Sequence, residues 1–297
     1  MSNQALATEH VTFSYDALRL RRSGFGEATG TVLDDVTIAI ERGGLVGILG
    51  PNGSGKTTLL RLLAGLVSPL QGRVLLDGAD LQGVRRRELS RRMAMVPQET
   101  QLAFEYTVLE MAVMGRYPHL GAFEIEGPDD IDIARDALRA TGTLHLESRL
   151  FTTLSGGEKQ RVVIASALAQ LEPRGREGFS APAQENPSRP LLLLDEPTAS
   201  LDLAYQLEIR SMLVRLNHTR ELTIVVSTHD LNFAASLCRH LILLDRGRVL
   251  AAGPTTLMLD PSLIRQLYGV EVDVTSHSRT GQLTVIPIAR SEEARLP

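Results

Sequence analysis

A glycine-rich loop set between an apolar strand and an apolar helix constrains this 297-residue chain more than any other feature. Leu45 to Leu49 is a short apolar run of the kind that forms a buried strand, and Leu59 to Leu66 reads as a helix. Between them stands Gly50-Pro51-Asn52-Gly53-Ser54-Gly55-Lys56-Thr57-Thr58. The glycines let backbone N–H groups turn inward around a chain of phosphates, closer than a Cβ allows. The helix N-terminus adds partial positive charge, Lys56 adds a full one, and the Thr57 hydroxyl suits magnesium. A glycine-rich turn that merely precedes a lysine leaves the flanking strand and helix unexplained. The pattern is therefore read as a phosphate-binding loop in an α/β fold.

Length and composition narrow the remaining classes. The chain is long enough for a substantial core and carries 43% hydrophobic and 22% charged residues, as ordinary globular proteins do. A net charge of −4 gives no support for a nucleic-acid partner. The single cysteine, Cys238, excludes an internal disulfide framework and fits a reducing compartment. No apolar run reaches membrane-spanning length, and MSNQALATEH lacks the apolar core of a signal peptide. If the protein works at a membrane, another chain must supply the anchor.

In chain order, strands are expected at His10–Tyr15, Val32–Ile40, Leu45–Leu49 and Val74–Leu76, with Ala17–Gly30 as an exposed loop. Arg85–Arg92 is an arginine-heavy helix whose charges are expected to be solvated, and Met93–Val96 is a short strand. Thr107-x-x-Glu110 is a capping-box signal, and Asp129–Ala140 has helical spacing. Lys159–Leu171 continues the helical region. Glu172–Pro190, rich in Pro, Gly, Ser and Arg, reads as a surface insertion. Leu191–Leu194 is a buried strand, Leu203–Asn217 a helix and Leu222–Val226 a strand. Helix Leu231–Cys238, strands Leu241–Leu244 and Arg248–Ala251, and a helix opened by Asp260-Pro261 follow. Strand-like pieces near Val272 and Thr284–Ile288 close the chain.

Two further stretches carry chemistry. Leu191 to Leu194 runs into Asp195-Glu196, so a strand buried on both faces delivers two carboxylates to the edge of a parallel sheet. Asp195 can hold magnesium there, and Glu196 can polarise a water. Alone, the pair would be a strand followed by an acidic turn. In Leu154-Ser155-Gly156-Gly157-Glu158-Lys159-Gln160-Arg161, Ser155 and Glu158 form a capping box. Two glycines weaken a first helical turn, and they make sense if a phosphate approaches that helix end closely.

With these motifs in this order, the chain resembles the ATP-binding subunit of an ABC transporter from about Val11 to Ile288. The resemblance implies a phosphate-loop core with an antiparallel β arm and an inserted helical subdomain. It divides a single 1–297 domain into a core with its arm (1–98 and 190–255), a helical subdomain (99–170), a surface insertion (171–189) and a C-terminal extension (256–297). It implies that ATP is the substrate, with Mg2+, and that Tyr15 stacks on adenine. Residues 50–58, from Gly50 to Thr58, hold the phosphates, and Thr57, Gln98 and Asp195 hold the metal. Gln98 senses the γ-phosphate, Glu196 is the general base, and His229 contacts the γ-phosphate. Ser155 and Gly157 complete the nucleotide site of a second copy, and Gly156, Glu158 and Asp202 also belong to the nucleotide-binding residues. A lone Gln or His in such places would mean little; their order gives them weight. Glu158 stands where many relatives have Gln.

A narrower resemblance is to the ATPases of importers for iron–siderophores, haem and cobalamin. It rests on Thr107-Val108-x-Glu110, Gly115-Arg116-Tyr117-Pro118-His119 and Tyr268-Gly269-Val270-Glu271-Val272. It implies transmembrane permease subunits, indirectly a periplasmic or lipoprotein substrate-binding protein, and a peripheral location on the cytoplasmic face of the cell membrane. The rival readings are an exporter or lipid-transport ATPase on the same fold, a soluble non-transport ABC ATPase, and a chain that binds nucleotide without hydrolysing it. One phosphate loop and no heptads argue against the second, and Glu196 with His229 argues against the third. The motifs imply a subfamily and leave the chelate unnamed.

Overall fold

Five consecutive buried residues make β3 (Leu45–Leu49), the strand that delivers the glycine-rich loop. The structure is a computed structural model and describes residues 3–16, 30–100, 102–174 and 189–291. Its chain divides into two units, Met1–Gly83 with Val225–Pro297, and Val84–Ile224. The loop expected at Ala17–Gly30 lies outside the described residues except for Gly30 itself, and so does 175–188 of the expected insertion.

In the first unit, β3 pairs in parallel with β9 (His240–Asp245), Val46 opposite His240 and Leu49 opposite Leu243. β10 (Arg248–Pro254) runs antiparallel along the far side of β9, and β8 (Thr223–Thr228) is the other neighbour of β3. Both neighbours are apolar, so the sheet is covered on both faces, as parallel sheets require. The expected antiparallel arm is present. β1 (Gln4–Phe13) lies between β2 (Leu33–Glu41) and β4 (Gln71–Leu76), and β4 turns back into β5 (Ala79–Asp80). β2 buries Leu33, Val36, Ile38 and Ile40 in near-alternation, which turns one face of the arm inward. β1 begins six residues earlier than its sequence suggested, because Ala5, Leu6 and Ala7 are buried.

The helix after the loop, α1 (Lys56–Leu63), also starts earlier than its apolar spacing indicated. Lys56, Thr57 and Thr58 are polar, yet they form its first turn. It ends before Gly65, whose φ of +68° leaves the helical region.

The second unit holds the strand pair β6 (Met93–Val96) and β7 (Leu191–Asp195), parallel, with Val96 opposite Leu194. Its helices are α2 (Arg86–Arg92), α3 (Val108–Val113), α4 (Pro128–Ala140), α5 (Gly156–Leu171) and α6 (Leu203–Arg220). The capping box foreseen at Thr107 is formed: Glu110 N donates to Thr107 Oγ1 at 3.2 Å, and Thr107 N donates to Glu110 Oε2 at 2.6 Å. Arg86, Arg87 and Arg91 of α2 are exposed and Arg92 is half-buried, so the helix is not simply solvated. Arg87 Nε and Arg91 Nε each donate to Pro118 O at 2.9 Å, which pins the Tyr117-Pro118-His119 turn.

A buried ion cluster closes the same region. Arg116, fully buried, donates from Nε to Asp130 Oδ1 at 3.0 Å and from Nη1 to the carbonyl of Ala169. Arg174 donates to Asp130 Oδ2 at 2.6 Å and to Glu124 Oε1 at 2.6 Å. Burial alone would raise the Asp130 carboxyl, but the bonds from Arg174, Arg116 and Gly127 N–H more than reverse it and hold it at about 2. Glu172, the first residue of the expected insertion, is itself buried, so the packed chain continues to Arg174.

The remaining elements belong to the first unit. They are α7 (Leu231–Leu237), α8 (Thr255–Met258), α9 (Pro261–Tyr268) and the hairpin of β11 (Val270–Ser276) with β12 (Leu283–Arg290). Asp260 caps α9 from Oδ1 and Pro261 opens it, as the sequence indicated. Among the described residues, no helix is long and apolar enough to cross a membrane.

Candidate functional site

The phosphate loop, in the first unit, is built by close approach. A Cβ on Gly50 would stand 2.2 Å from Leu244 O and 2.5 Å from Ser54 Oγ, so only glycine lets β3 leave the sheet there. Gly55 has φ +102°, a conformation that side-chain-bearing residues rarely adopt. These two positions let the loop reverse straight into α1. Lys56 is buried and donates from Nζ to Gly50 O at 2.9 Å and Pro51 O at 3.2 Å, so its charge lies inside the curl of the loop. Ser54 Oγ is buried without a hydrogen-bond partner. The loop is braced from outside by the β9–β10 turn, where Gly247 N donates to Ser54 O at 3.0 Å.

Tyr15, in the same unit, reaches this helix directly. Its hydroxyl is 3.3 Å from Thr58 Oγ1 and accepts from Arg61 Nη1 at 3.3 Å, while its ring meets Phe13 edge-on with centroids 4.8 Å apart. His229 is exposed and sits in the link between β8 and α7. Asp230 caps α7 there, accepting on Oδ1 from Asn232 N and Phe233 N at 2.9 Å each.

The other candidates belong to the second unit. Gln98 follows β6 and Asp195-Glu196 ends β7; with Val96 opposite Leu194, the amide and the carboxylates emerge at the same end of that parallel pair. Asp195 is buried, and Glu196 turns the chain with φ +45°, a costly conformation for a residue with a side chain. Ser200 follows with φ +63°. Two left-handed residues thus lie within five positions of each other in the turn after β7.

The Ser155 helix end is as the sequence indicated in its capping and different in its glycines. Ser155 N donates to Glu158 Oε2 at 2.8 Å, Ser155 Oγ donates to the same oxygen at 2.9 Å, and Glu158 N donates back to Ser155 Oγ at 3.3 Å. These bonds, the backbone one first, hold the Glu158 carboxyl below its ordinary value. Gly157 needs no ligand to explain it. A Cβ there would stand 2.3 Å from the Tyr205 ring, so the fold itself demands glycine. Gly156 is less constrained, its nearest neighbour being Leu201 Cδ2 at 3.3 Å. Asp202 caps α6, accepting from Tyr205 N at 3.1 Å, which places the Tyr205 ring over Gly157 and its hydroxyl 3.4 Å from Ser155 Oγ. Sequence reasoning missed Tyr205, Arg61 and Asn232, although each stands three residues after a candidate it had named: Asp202, Thr58 and His229.

The donor types suit the groups they were assigned. A hydroxyl from Thr57, an amide oxygen from Gln98 and a carboxylate from Asp195 are hard oxygen ligands, which magnesium prefers. Among the described residues, no three His, Cys, Asp or Glu side chains converge to hold a metal ion.

Comparisons with known proteins converge on one family. The ABC transporter family model matches residues 33–173. A hemin import ATP-binding protein, HmuV of Bordetella pertussis, is 38% identical over 270 residues, 91% of this chain and 98% of that protein. A cobalamin import ATP-binding protein, BtuD of Halobacterium salinarum, is 40% identical over 88% of this chain. The chain spans 61% of that longer relative. Among solved structures, an inward-facing metal-chelate type ABC transporter aligns with a TM-score of 0.76 and 28% identity, over 97% of this chain and 98% of its own.

Proposed function

This chain belongs to the ABC transporter family, and on that premise we propose that it is the ATP-hydrolysing subunit of an importer. Its cargo is a metal chelate of the haem, cobalamin or iron–siderophore class, carried through a separate transmembrane pair. The observation that carries this reading is the 38% identity to a hemin import ATP-binding protein across 98% of that protein's length. The subunit works as a head-to-tail dimer, peripheral to the cytoplasmic face of the membrane, and a substrate-binding protein outside delivers cargo to its permease.

Catalysis in this reading is positioning and electrostatics. The loop N–H groups, the α1 N-terminus and Lys56 take the negative charge of the phosphates. Tyr15 supplies an aromatic face for adenine. Thr57, Asp195 and Gln98 would hold magnesium, which would supply positive charge against the phosphates. Glu196 orients the attacking water and accepts its proton, and His229 contacts the γ-phosphate. The left-handed backbone at Glu196 supports the assignment, since such strain persists where geometry is over-determined.

Glu196→Gln keeps the shape and removes the proton acceptor. It is expected to bind ATP normally and lose turnover about 10²- to 10⁴-fold. Turnover within about twofold of the parent would remove Glu196 as base. For the cargo, the chain is to be purified with its membrane partner in liposomes. ATP-driven uptake of a metal chelate supports the importer, whereas ATP-driven extrusion of a lipid or drug contradicts it.

A further inference from the structure

We infer that Asn232 is a positioning residue for His229, through which the C-terminal hairpin β11–β12 acts on hydrolysis. The inference rests on the reading of His229 as the γ-phosphate contact. His229 and Asp230 alone link β8 to α7, and the link is braced locally: Asp230 N donates to Thr228 Oγ1 at 3.0 Å, and Asp230 caps α7. The Asn232 side chain then leaves the first turn of α7 and brackets one residue of β12. Its Nδ2 donates to Val285 O at 3.1 Å, and its Oδ1 accepts from Val285 N at 2.8 Å.

Two bonds from one planar amide to one residue fix direction as well as distance, as a strand partner would. The support behind them is firm: Val285 is 2% exposed and pairs with Val274 of β11. Asn232 itself is exposed, so core packing does not demand an amide there. The same extension also faces the phosphate loop across a cleft. A cleft of about 820 Å³ has Asn52, Gly53 and Ser54 on one wall and Arg265, Tyr268 and Ser291 on the other. The extension therefore shares a cleft with the loop and, through Asn232, is bonded to the segment carrying His229. A tail merely pinned for stability would make the same bonds without affecting turnover.

The test uses the full-length chain and steady-state ATP hydrolysis. Asn232→Ala is expected to lower kcat about tenfold, with KM within about twofold and Tm within a few degrees of the parent. Asn232→Asp keeps the acceptor for Val285 N and is expected to lose less; it carries the test should the alanine variant fail to fold. Added to His229→Ala, Asn232→Ala is expected to cost nothing more, because both act through one group. Unchanged kcat in Asn232→Ala overturns the proposal while leaving His229 in place. So does a loss that tracks Tm, or one that multiplies on the His229→Ala background. Parental turnover in His229→Ala alone overturns the reading of His229, and the proposal with it.

Discussion

The Tyr15 hydroxyl stands 3.3 Å from Thr58 Oγ1, which ties the aromatic ring of the β arm to the first turn of the helix that the phosphate loop feeds. That tie spans 43 residues. It fixes the ring relative to the loop.

Tyr15→Ala is therefore expected to weaken ATP binding and leave the chemical step alone. Base–aromatic stacking is worth about 1–3 kcal/mol, a rise in KM of about 5- to 150-fold at similar kcat. Tyr15→Phe keeps the ring and loses the tie to Thr58 and Arg61, so its KM is expected to lie between the two. Titration with a fluorescent ATP analogue measures this directly. Equal affinity in parent and Tyr15→Ala would assign adenine recognition elsewhere.

Gly157→Ala tests the close approach to Tyr205, where the added carbon would meet the ring at 2.3 Å. Overpacking of this kind costs about 1–3 kcal/mol, read as a fall in Tm. Adding Tyr205→Ala is expected to recover most of that loss, since the two residues share one contact. A Gly157→Ala variant as stable as its parent would contradict the steric account.

The Asp130 carboxyl is held at about 2, below its ordinary value of 3.8, so the folded form binds its proton less readily than the unfolded chain. It contributes stability that is fully present above about pH 4 and lost as pH falls toward 2, about 2 kcal/mol in all. Denaturant melts at pH 5 and pH 2.5 are expected to show this loss in the parent. Asp130→Asn is expected to be less stable at pH 5, because Arg116 stays buried without its closest carboxylate, and to show a shallower decline. Parallel declines in both would move the acid sensitivity to another group.

The sequence made the phosphate loop legible because its spacing is a local signal: strand, glycines, lysine and helix lie within 20 residues of one another. The same holds for the caps at Thr107, Ser155 and Asp260, each written in three or four consecutive residues. The reason for Gly157 was not legible, because its partner Tyr205 lies 48 residues on and only the Asp202 cap brings the ring over it. The Arg116 cluster was hidden for a like reason: Arg116 is held by Asp130, which Arg174 also binds, and by the backbone carbonyls of Ala169 and Glu172, which have no side-chain signature. The start of α1 was misplaced because Lys56, Thr57 and Thr58, which form its first turn, are polar and carry no apolar spacing.

The central claim is that Ser155, at the N-terminus of α5, completes the nucleotide site of a second copy of this chain. Its hydroxyl is held 2.9 Å from Glu158 and 3.4 Å from Tyr205, a fixed presentation at a helix end. Lys56→Ala alone damages both sites of a head-to-tail homodimer, and so does Ser155→Arg alone. In a mixed dimer, one site carries both lesions and the other carries none. The measurement is occlusion of radiolabelled ATP by each variant and by their mixture, with subunit exchange verified independently. The account predicts that each mixed dimer traps up to one ATP, about half an ATP per dimer averaged over an equimolar, randomly paired mixture, while neither variant alone traps any. A mixture that exchanges subunits and still traps no more ATP than its components would contradict the shared site.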